Sequence, residues 1–306
     1  MSNWIDTHLH LIFPDQLHYD WIAAHPLQRA FTLEEYRVEA RALGIARSVY
    51  VEVDVRESDI ERETEIIGAL ADRTNGALAG VVSSCRPENE DERAFAAFAE
   101  RALADPHVKG FRRVLHVMPD QLSRSSRFRS NLRRLTCAGH PFELCIRPTQ
   151  LPIAEELARA CPNTVFILDH CGSPDTAAGF DSDAGREWRR NLRRLAASPN
   201  VHCKLSGLIA HADSASWPHG EAAYPIIAET LQPYIVLALD LFGWDRVVWG
   251  SDYPVCTLSR GMTVWKRACD LVLRGESGAH IRRLARENAI RLYRLSAQDD
   301  APRLWL

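Results

Sequence analysis

The chain has 306 residues, of which 46% are hydrophobic and 25% are charged, with a formal net charge of −3. These values are ordinary for a protein with a large core, and the charge argues against a broad basic surface for nucleic acid. No run of about 18 apolar residues indicates a membrane span, and the first residues lack a signal-peptide pattern. The eight cysteines form no Cys-x-x-Cys motif, so we expect free thiols in a cytoplasmic protein.

Eight short runs of apolar and β-branched residues recur along the chain. Each is apolar enough to be buried on both faces, as the strands of a parallel sheet are. In chain order, the predicted strands are 4–8, 48–53, 78–83, 108–114, 141–147, 164–169, 201–205 and 246–250.

Helical patterns fill the gaps between these strands. Thr32 and Glu35 have capping-box spacing, and Gly44 is expected to end the helix that they begin. Ser58 and Glu61 have the same spacing and predict a second helix, to about residue 72. The other predicted helices are 88–104, 121–136, 152–161, 185–197, 221–242 and 277–295. Long loops are expected at 11–30 and 207–220.

Strands that alternate with helices indicate βαβ units and a parallel sheet. Eight units fit a closed barrel better than an open sheet, and no Gly-x-Gly-x-x-Gly follows any strand, which argues against a dinucleotide-binding fold. The sequence therefore predicts an α/β protein with a single (β/α)8 TIM-barrel domain over 1–306. Its active site should lie at the carboxyl ends of the strands.

His8 and His10 come at the end of the first predicted strand. Because they stand two residues apart, their side chains point to the same face. Two imidazoles that converge inside a barrel can bind one divalent metal ion. A His-x-His pattern also occurs by chance, so this pair alone is weak evidence of function.

His170 and Asp252 follow two later strands. Polar residues at the carboxyl end of a barrel strand are typical of catalysis, and an aspartate there can bind a metal or accept a proton. The structural alternatives are that Asp169 caps a turn while His170 bonds a core carbonyl, and that Asp252 forms a turn before Pro254. Strands one, six and eight nevertheless deliver polar groups to one end of the barrel, which favours a functional site.

Further candidates for substrate contact end strands or follow them: Arg112, Arg113, Arg147, Lys204 and Tyr253. Strand alternation allows only one of the two adjacent arginines to point inward. An inward arginine can bind a carboxylate or carbonyl group of a ligand, or it can pair with a strand-end acid such as Glu52. The sequence leaves both alternatives open.

Four motifs in this order resemble the amidohydrolase superfamily: IDTHLH (5–10), LDHCG (168–172), CKLSGL (203–208) and WGSDYPV (249–255). The most similar branch is the amidohydrolase-related group of TIM-barrel metal-dependent hydrolases, which includes sugar-acid lactonases and pyrone-dicarboxylate lactonase. The resemblance runs from residue 4 to about residue 290. It implies that His8, His10, His170 and Asp252 occupy the metal-site positions and that Asp252 takes a proton from the attacking water.

The chain departs from the full superfamily pattern in two respects. No second strand-end histidine follows His170 in a comparable setting. No lysine suited to carboxylation lies on a middle strand, so the resemblance implies at most one divalent metal ion, zinc first and manganese as the alternative. Some lactonases of this branch act without metal, so a metal-independent mechanism is also compatible with it. His211, in the loop after the seventh strand, is a further catalytic candidate.

The resemblance implies a hydrolase that opens a lactone ring, with Asp252 as base, assistance from a metal or an arginine, and proton transfer by His170 or His211. One alternative is a metal-dependent decarboxylase of an aromatic or muconate-type acid, and another is a non-catalytic ligand-binding barrel. We expect a small-molecule substrate, no nucleic acid or membrane partner, and a fold compatible with a homodimer.

Overall fold

Eight parallel strands surround the centre of the protein in a computed structural model that describes residues 3–210, 212, 217–218 and 220–296. Each strand pairs with the next in chain order, from β1 to β8. The strands are β1 Trp4–Leu9, β2 Ile45–Val51, β3 Leu78–Ser84, β4 Val108–Val114, β5 Phe142–Cys145, β6 Phe166–Leu168, β7 Val201–Leu205 and β8 Val247–Trp249.

Hydrogen bonds between the first and last strands bring the sheet back on itself. The Thr7 hydroxyl donates to the Trp249 carbonyl at 2.8 Å, and the His10 N–H donates to the Tyr253 carbonyl at 2.7 Å. Together with the strand order, these contacts confirm the predicted TIM barrel. The predicted bounds for β4 and β7 agree with the structure, whereas β2 begins three residues before the predicted 48.

Helices alternate with the strands. They are α1 Leu33–Ala42, α2 Ile60–Arg73, α3 Glu92–Ala104, α4 Ser126–Thr136, α5 Leu151–Ala160, α6 Asp183–Ala196, α7 Ala223–Phe242, α8 Gly261–Val272, α9 Gly278–Arg282 and α10 Asn288–Leu292. A π-helical turn, Arg283–Glu287, joins α9 to α10. The sequence did not predict α8, which begins after Arg260 without a side-chain cap and so lacks the usual start signal.

The two predicted capping boxes have different outcomes. The Thr32 hydroxyl accepts the Glu35 N–H at 3.2 Å and the Glu35 carboxylate accepts the Thr32 N–H at 3.4 Å, which confirms the first. The second is wrong, because Ser58 lies in a short 3-10 turn and its hydroxyl donates to the Asp59 side chain at 3.2 Å. The helix begins only at Ile60, with no side-chain cap.

Helix α7 is apolar and long. By length and composition alone, the helical segment Gly220–Phe242 would also suit a membrane span. Its buried face packs against β7, β8 and α8, which is the position of an outer helix of the barrel. Burial in the fold therefore accounts for its composition.

The C-terminal helical segment closes the amino-terminal end of the barrel. Asn288 donates to the Val247 carbonyl at 2.7 Å, just where β8 begins. Leu292, Tyr293 and Leu295 belong to a buried cluster with apolar barrel residues, namely Ile5, Val49, Val51, Val82, Ile167 and Val248. The apolar filling therefore lies towards this end, which leaves the opposite end of the barrel for polar side chains.

Candidate active site

His8, His10 and Asp252 meet inside the barrel at the carboxyl ends of β1 and β8. The two His Nε2 atoms lie 3.1 Å apart, and Asp252 Oδ1 lies 3.7 Å from His8 Nε2 and 3.8 Å from His10 Nε2. Two ligand atoms on one tetrahedral zinc ion stand roughly 3.3 Å apart, given bonds of about 2.0–2.1 Å. The spacing of these three atoms therefore fits one divalent cation.

The surroundings of both histidines favour metal binding. Burial lowers the pKa of His8 and of His10 well below the ordinary value, so both imidazoles are neutral, the form that binds a metal. His10 Nδ1 lies 2.7 Å from the Val51 carbonyl, an acceptor that fixes the proton on Nδ1 and leaves Nε2 with a lone pair. Outer hydrogen bonds of this kind orient the histidine ligands of metal sites.

Close approach of β8 to β1 makes this cluster possible. A Cβ atom on Gly250 would lie 2.5 Å from the Cβ of His8, so no larger residue fits at this position. The Asp252 N–H donates to the His8 carbonyl at 2.9 Å. Asp252 has a φ of 59°, a left-handed conformation that is uncommon for aspartate and that aims its carboxylate at the two rings.

Asp252 is 2% exposed, and burial raises the pKa of its carboxyl group well above the ordinary value, although Arg112 opposes the shift. A carboxylate with a raised pKa is a stronger base. A cation bound beside it would favour the ionised form, because opposite charge stabilises a carboxylate.

Buried charged side chains lie beneath and beside the cluster. Arg112 Nε donates to Glu52 at 2.6 Å, and Arg112 Nη1 donates to Asp169 at 3.3 Å. The Lys204 ammonium lies 2.6 Å from Glu143 and 3.2 Å from Asp169. Burial would raise the pKa of Asp169, but the Lys204 charge and the His8 and Arg112 contacts hold it well below the ordinary value.

The balance of these charges also fits a divalent cation. Five buried acids, Asp6, Glu52, Glu143, Asp169 and Asp252, outnumber the fixed cations Arg112 and Lys204 when all are ionised. Burial is the main cause that raises the pKa of Glu143 and of Asp252, and the negative charge of Asp169 raises both further. One divalent ion would neutralise part of that surplus.

His170 lies beside His8, in a strained turn. Four consecutive residues from His170 to Ser173 have positive φ values, of 53°, 54°, 76° and 53°. His170 Nδ1 lies 2.9 Å from the Ser206 hydroxyl, and its ring centroid lies 4.6 Å from that of His8. A Cβ atom on Gly207 would lie 2.5 Å from His170 Nδ1, so glycine is required there.

The predicted role of His170 as a metal ligand stays a prediction. Its ring nitrogens group with His8 and Asp169, whereas His10 and Asp252 form the other potential metal group with His8. His211, the other candidate for proton transfer, lies outside the described residues.

The adjacent arginines of β4 have different positions. Arg112 points inward and its Nη1 lies 3.5 Å from His8 Nε2, next to the candidate metal ligands. The sequence left open whether an inward arginine would bind a ligand or pair with a strand-end acid. Arg112 does pair with Glu52. Arg113 lies at the rim, where its Nε donates to Glu88 at 2.9 Å.

The remaining predicted substrate contacts lie in different surroundings. Arg147 is half exposed at the rim and pairs with Asp120 at 3.1 Å. Tyr253 is 5% exposed and packs against the rings of Phe31 and Tyr36. Lys204 has no exposed surface, and its Nζ lies 3.2 Å from His8 Nδ1, the nitrogen that faces away from the metal-binding edge. The predicted contact of Lys204 with the substrate stays a prediction, and the ammonium faces the barrel interior beside His8.

Sequence reasoning missed Glu143, Asp169 and Tyr293 as parts of this network. Glu143 lies within a run of apolar residues, and a charge in a strand that is buried on both faces must find a partner inside the barrel. That signal could have identified Glu143 and, by the same argument, Lys204 as its partner. Nothing in the sequence pattern indicates Tyr293, which reaches the site from the far end of the chain.

The comparisons with known proteins agree with this geometry. The family model described as "Amidohydrolase" matches residues 5–295. The L-fucono-1,5-lactonase of Burkholderia multivorans is 30% identical over 263 residues, which cover 83% of each chain. The 4-sulfomuconolactone hydrolase of Rhizobium radiobacter is 28% identical over 259 residues, which cover 81% of this chain and 75% of the relative.

A crystal structure of an amidohydrolase from Burkholderia multivorans, with bound zinc, matches with a TM-score of 0.82 and 26% identity. The match covers 96% of this chain and all of that chain. The family match spans nearly the whole sequence, and it confirms the resemblance that the four sequence motifs indicated. This chain belongs to the amidohydrolase family.

Proposed function

We propose that this protein is a hydrolase that opens the ring of a lactone. The observation that carries the proposal is the buried group of His8, His10 and Asp252 with the Arg112 guanidinium beside it. Two relatives, named L-fucono-1,5-lactonase and 4-sulfomuconolactone hydrolase, support the same chemistry, because both names describe the hydrolysis of a lactone.

We propose that His8, His10 and Asp252 hold one zinc ion, with manganese as the alternative. The bound zinc of the similar Burkholderia multivorans structure supports the choice of metal. When bound, such an ion polarises a carbonyl oxygen and lowers the pKa of a coordinated water. If the ion is dispensable, Arg112 is the cation that remains beside the reacting centre.

In the proposed mechanism, Asp252 accepts a proton from water, the resulting hydroxide adds to the ester carbonyl carbon, and the bond from that carbon to the ring oxygen then breaks. Arg112 stabilises negative charge on the carbonyl oxygen, since its contacts with Glu52 and Asp169 hold the guanidinium rigidly next to His8. His170, which is partly exposed beside His8, donates a proton to the leaving alkoxide oxygen as the ring opens, and the proton held by Asp252 then replaces it.

The charges at the rim favour an uncharged sugar lactone over a dicarboxylate lactone. Three arginines near the carboxyl ends of the strands already have an acidic partner within 3.6 Å; the pairs are Arg86 with Asp54, Arg113 with Asp54 and Glu88, and Arg147 with Asp120. Three cations therefore face three carboxylates. A carboxylate on the substrate would have to displace one of these partners, whereas hydroxyl groups can bond to the paired groups without that cost.

A panel of aldonolactones and carboxylated lactones tests the proposal, with acid release as the readout. The zinc-loaded protein should hydrolyse a neutral aldonolactone fastest, and a parallel series with chelator shows whether the metal is needed. Release of carbon dioxide from an aromatic or muconate-type acid, with no lactone hydrolysis, would instead identify a decarboxylase. Binding without turnover of any lactone would favour a non-catalytic barrel.

A further inference from the structure

A thiol and an imidazole lie together where β4 and β5 end. Cys145 is the last residue of β5, and its Sγ lies 3.3 Å from His116 Nδ1. The Cys145 carbonyl also accepts the Leu115 N–H at 2.9 Å and the His116 N–H at 3.1 Å. These backbone hydrogen bonds hold the segment after β4 against the end of β5, so the imidazole stays next to the thiol.

The strand register places this thiol on the inner wall of the barrel. Cys145 is paired in register with Val114, and Glu143 with Arg112. Because alternate residues of a strand share a face, Cys145 points the same way as Glu143, which contacts Lys204 in the barrel interior. Cys145 thus lies on the wall of the barrel two residues nearer the mouth than Glu143, on the strand next to Arg112.

Cys145 differs from the other buried cysteines in its exposure. It is 8% exposed, whereas each of the other six is at most 1% exposed, and His116 beside it is exposed. A small molecule that enters the mouth of the barrel can therefore reach this thiol. Burial raises the pKa of the Cys145 thiol to about 12, although the charge of Arg112 opposes the shift. The resting group is a neutral thiol, so a reagent that does not bind in the barrel should modify it slowly.

A thiol between a base and a cation suits addition to a conjugated lactone, in which a C=C bond is next to the carbonyl group. A bond forms between Sγ and the β-carbon of the lactone, and His116 takes the thiol proton as the sulfur attacks. The electron pair of the C=C bond moves towards the carbonyl oxygen, where Arg112 stabilises the negative charge. The proton then passes to the α-carbon. Nothing leaves in this addition, and it needs no oxidant.

We propose that Cys145 is a modification site for lactones whose C=C bond is conjugated with the carbonyl group. Arg112 binds the carbonyl oxygen, Cys145 supplies the sulfur, and His116 accepts the proton. The adduct occupies the mouth of the barrel, so the enzyme hydrolyses saturated lactones, such as those of sugars, and is inactivated by conjugated ones. The inference rests on the proposed function in one respect, namely that Arg112 binds the lactone carbonyl.

Peptide mass spectrometry of protein treated with 2(5H)-furanone, a small conjugated lactone, tests the site. We expect one furanone to add at Cys145, at a rate that saturates with furanone concentration because binding precedes the reaction. An excess of γ-butyrolactone, which lacks only the C=C bond, should leave no adduct and should slow the labelling by furanone. Cys137 is the internal control, because it is exposed on the outside of the barrel. Iodoacetamide should label Cys137 before Cys145, and furanone should reverse that order.

His116→Gln tests the base. Glutamine cannot take the thiol proton, so furanone should label Cys145 about 10²-fold more slowly, which is the usual contribution of a positioned base. Because His116 is exposed, this variant should fold. His18→Gln is the matched control, since the His18 side chain is 68% exposed and pairs with Asp59 rather than with a thiol. It should be labelled at the wild-type rate.

Labelling of Cys137 before Cys145 by furanone would overturn the proposal, as would equal labelling rates in His116→Gln and the wild type. The mass of the labelled peptide is read without any turnover, so the lactonase and the modification site fail separately. Hydrolysis of saturated lactones with no furanone on Cys145 would reject the modification site alone. Labelling of Cys145 with no hydrolysis of any lactone would support the site and reject the lactonase.

Discussion

The Asp6 carboxylate accepts a hydrogen bond from the Ser251 N–H at 2.8 Å, although the two residues stand 245 positions apart. The same oxygen, Oδ1, accepts the His8 N–H at 3.0 Å, and the other oxygen accepts the Tyr36 hydroxyl at 2.8 Å. One buried side chain thus joins the end of β1 to the turn that carries Asp252. It sets the position of His8 relative to Asp252 through the backbone.

Asp6→Asn should therefore weaken both the fold and the site. The amide can keep its oxygen at the two backbone N–H groups but then turns an N–H towards the Tyr36 hydroxyl, which donates to the carboxylate, so we expect the free energy of unfolding to fall by about 1–3 kcal/mol. Urea denaturation measures the loss, and kcat should fall with it. Asp72→Asn, at a side chain that is 71% exposed, is the control and should change neither value. Equal stability of both variants would contradict the role of Asp6.

The sequence predicted the barrel because eight buried strands with intervening helices leave few other topologies. It predicted His8, His10 and Asp252 as neighbours because the carboxyl ends of parallel strands meet at one end of a barrel. It could not choose between Arg112 and Arg113, since strand alternation gives two faces but not which one is inside. The left-handed turn at His170 was also hidden, because local propensity disfavours positive φ for histidine and cysteine and only tertiary contacts impose it.

Asp252→Asn tests the proposed base. Asparagine keeps an oxygen near the two imidazoles but cannot take a proton from water, so kcat should fall by about 10²-fold or more with a smaller change in KM. Steady-state lactone hydrolysis gives both constants. Asp270→Asn is the control, because its carboxylate lies outside the barrel interior and pairs with Lys266. A rate within twofold of wild type would remove Asp252 from the mechanism.

Glu88→Gln tests the charge balance at the rim. Glu88 is the nearer acidic partner of Arg113, at 2.9 Å, whereas Asp54 lies 3.6 Å away. Loss of the Glu88 charge leaves Arg113 with only the more distant Asp54 as an acidic partner, so a substrate carboxylate competes more easily for the guanidinium, and KM for a carboxylated lactone should fall by about tenfold, the equivalent of about 1.4 kcal/mol. KM for a neutral aldonolactone should stay within about twofold.

Glu156→Gln is the matched control for this change, because Glu156 of α5 pairs at 2.7 Å with Arg124, in the loop before α4. It should alter neither KM. If Glu88→Gln and Glu156→Gln behave alike towards the carboxylated lactone, the rim charges do not select the substrate.

Ser173→Gly should stabilise the protein. Ser173 has a φ of 53° in the turn after His170, a conformation that costs an L-residue about 1–2 kcal/mol but costs glycine little. After allowance for the greater freedom of glycine in the unfolded chain, the gain should be about 0.5–1 kcal/mol, or a rise in Tm of about 1–2 °C. Ala97→Gly, at an exposed position within α3, should instead lower stability by about 1 kcal/mol. A loss of stability in Ser173→Gly would show that the serine side chain contributes more than the strain costs.

Two buried histidines remote from the site should make the fold acid-sensitive. Burial lowers the pKa of His140 and of His202 to about 4. The positive charge of Arg294 lowers the pKa of His140 further, and the charge of Arg291 does the same for His202. In the unfolded chain both return to the ordinary value of 6.5, so the unfolded state binds more protons as the pH falls. The contribution of the two neutral histidines to the free energy of unfolding is complete above pH 6.5. It is lost as the pH falls from 6.5 to 4, and the loss is about 2 kcal/mol for each histidine at pH 5. His202→Gln should flatten the fall in Tm between pH 7.5 and 5, whereas His18→Gln, at a side chain that is 68% exposed, should not. An equally steep fall in both variants would assign the acid sensitivity to other groups.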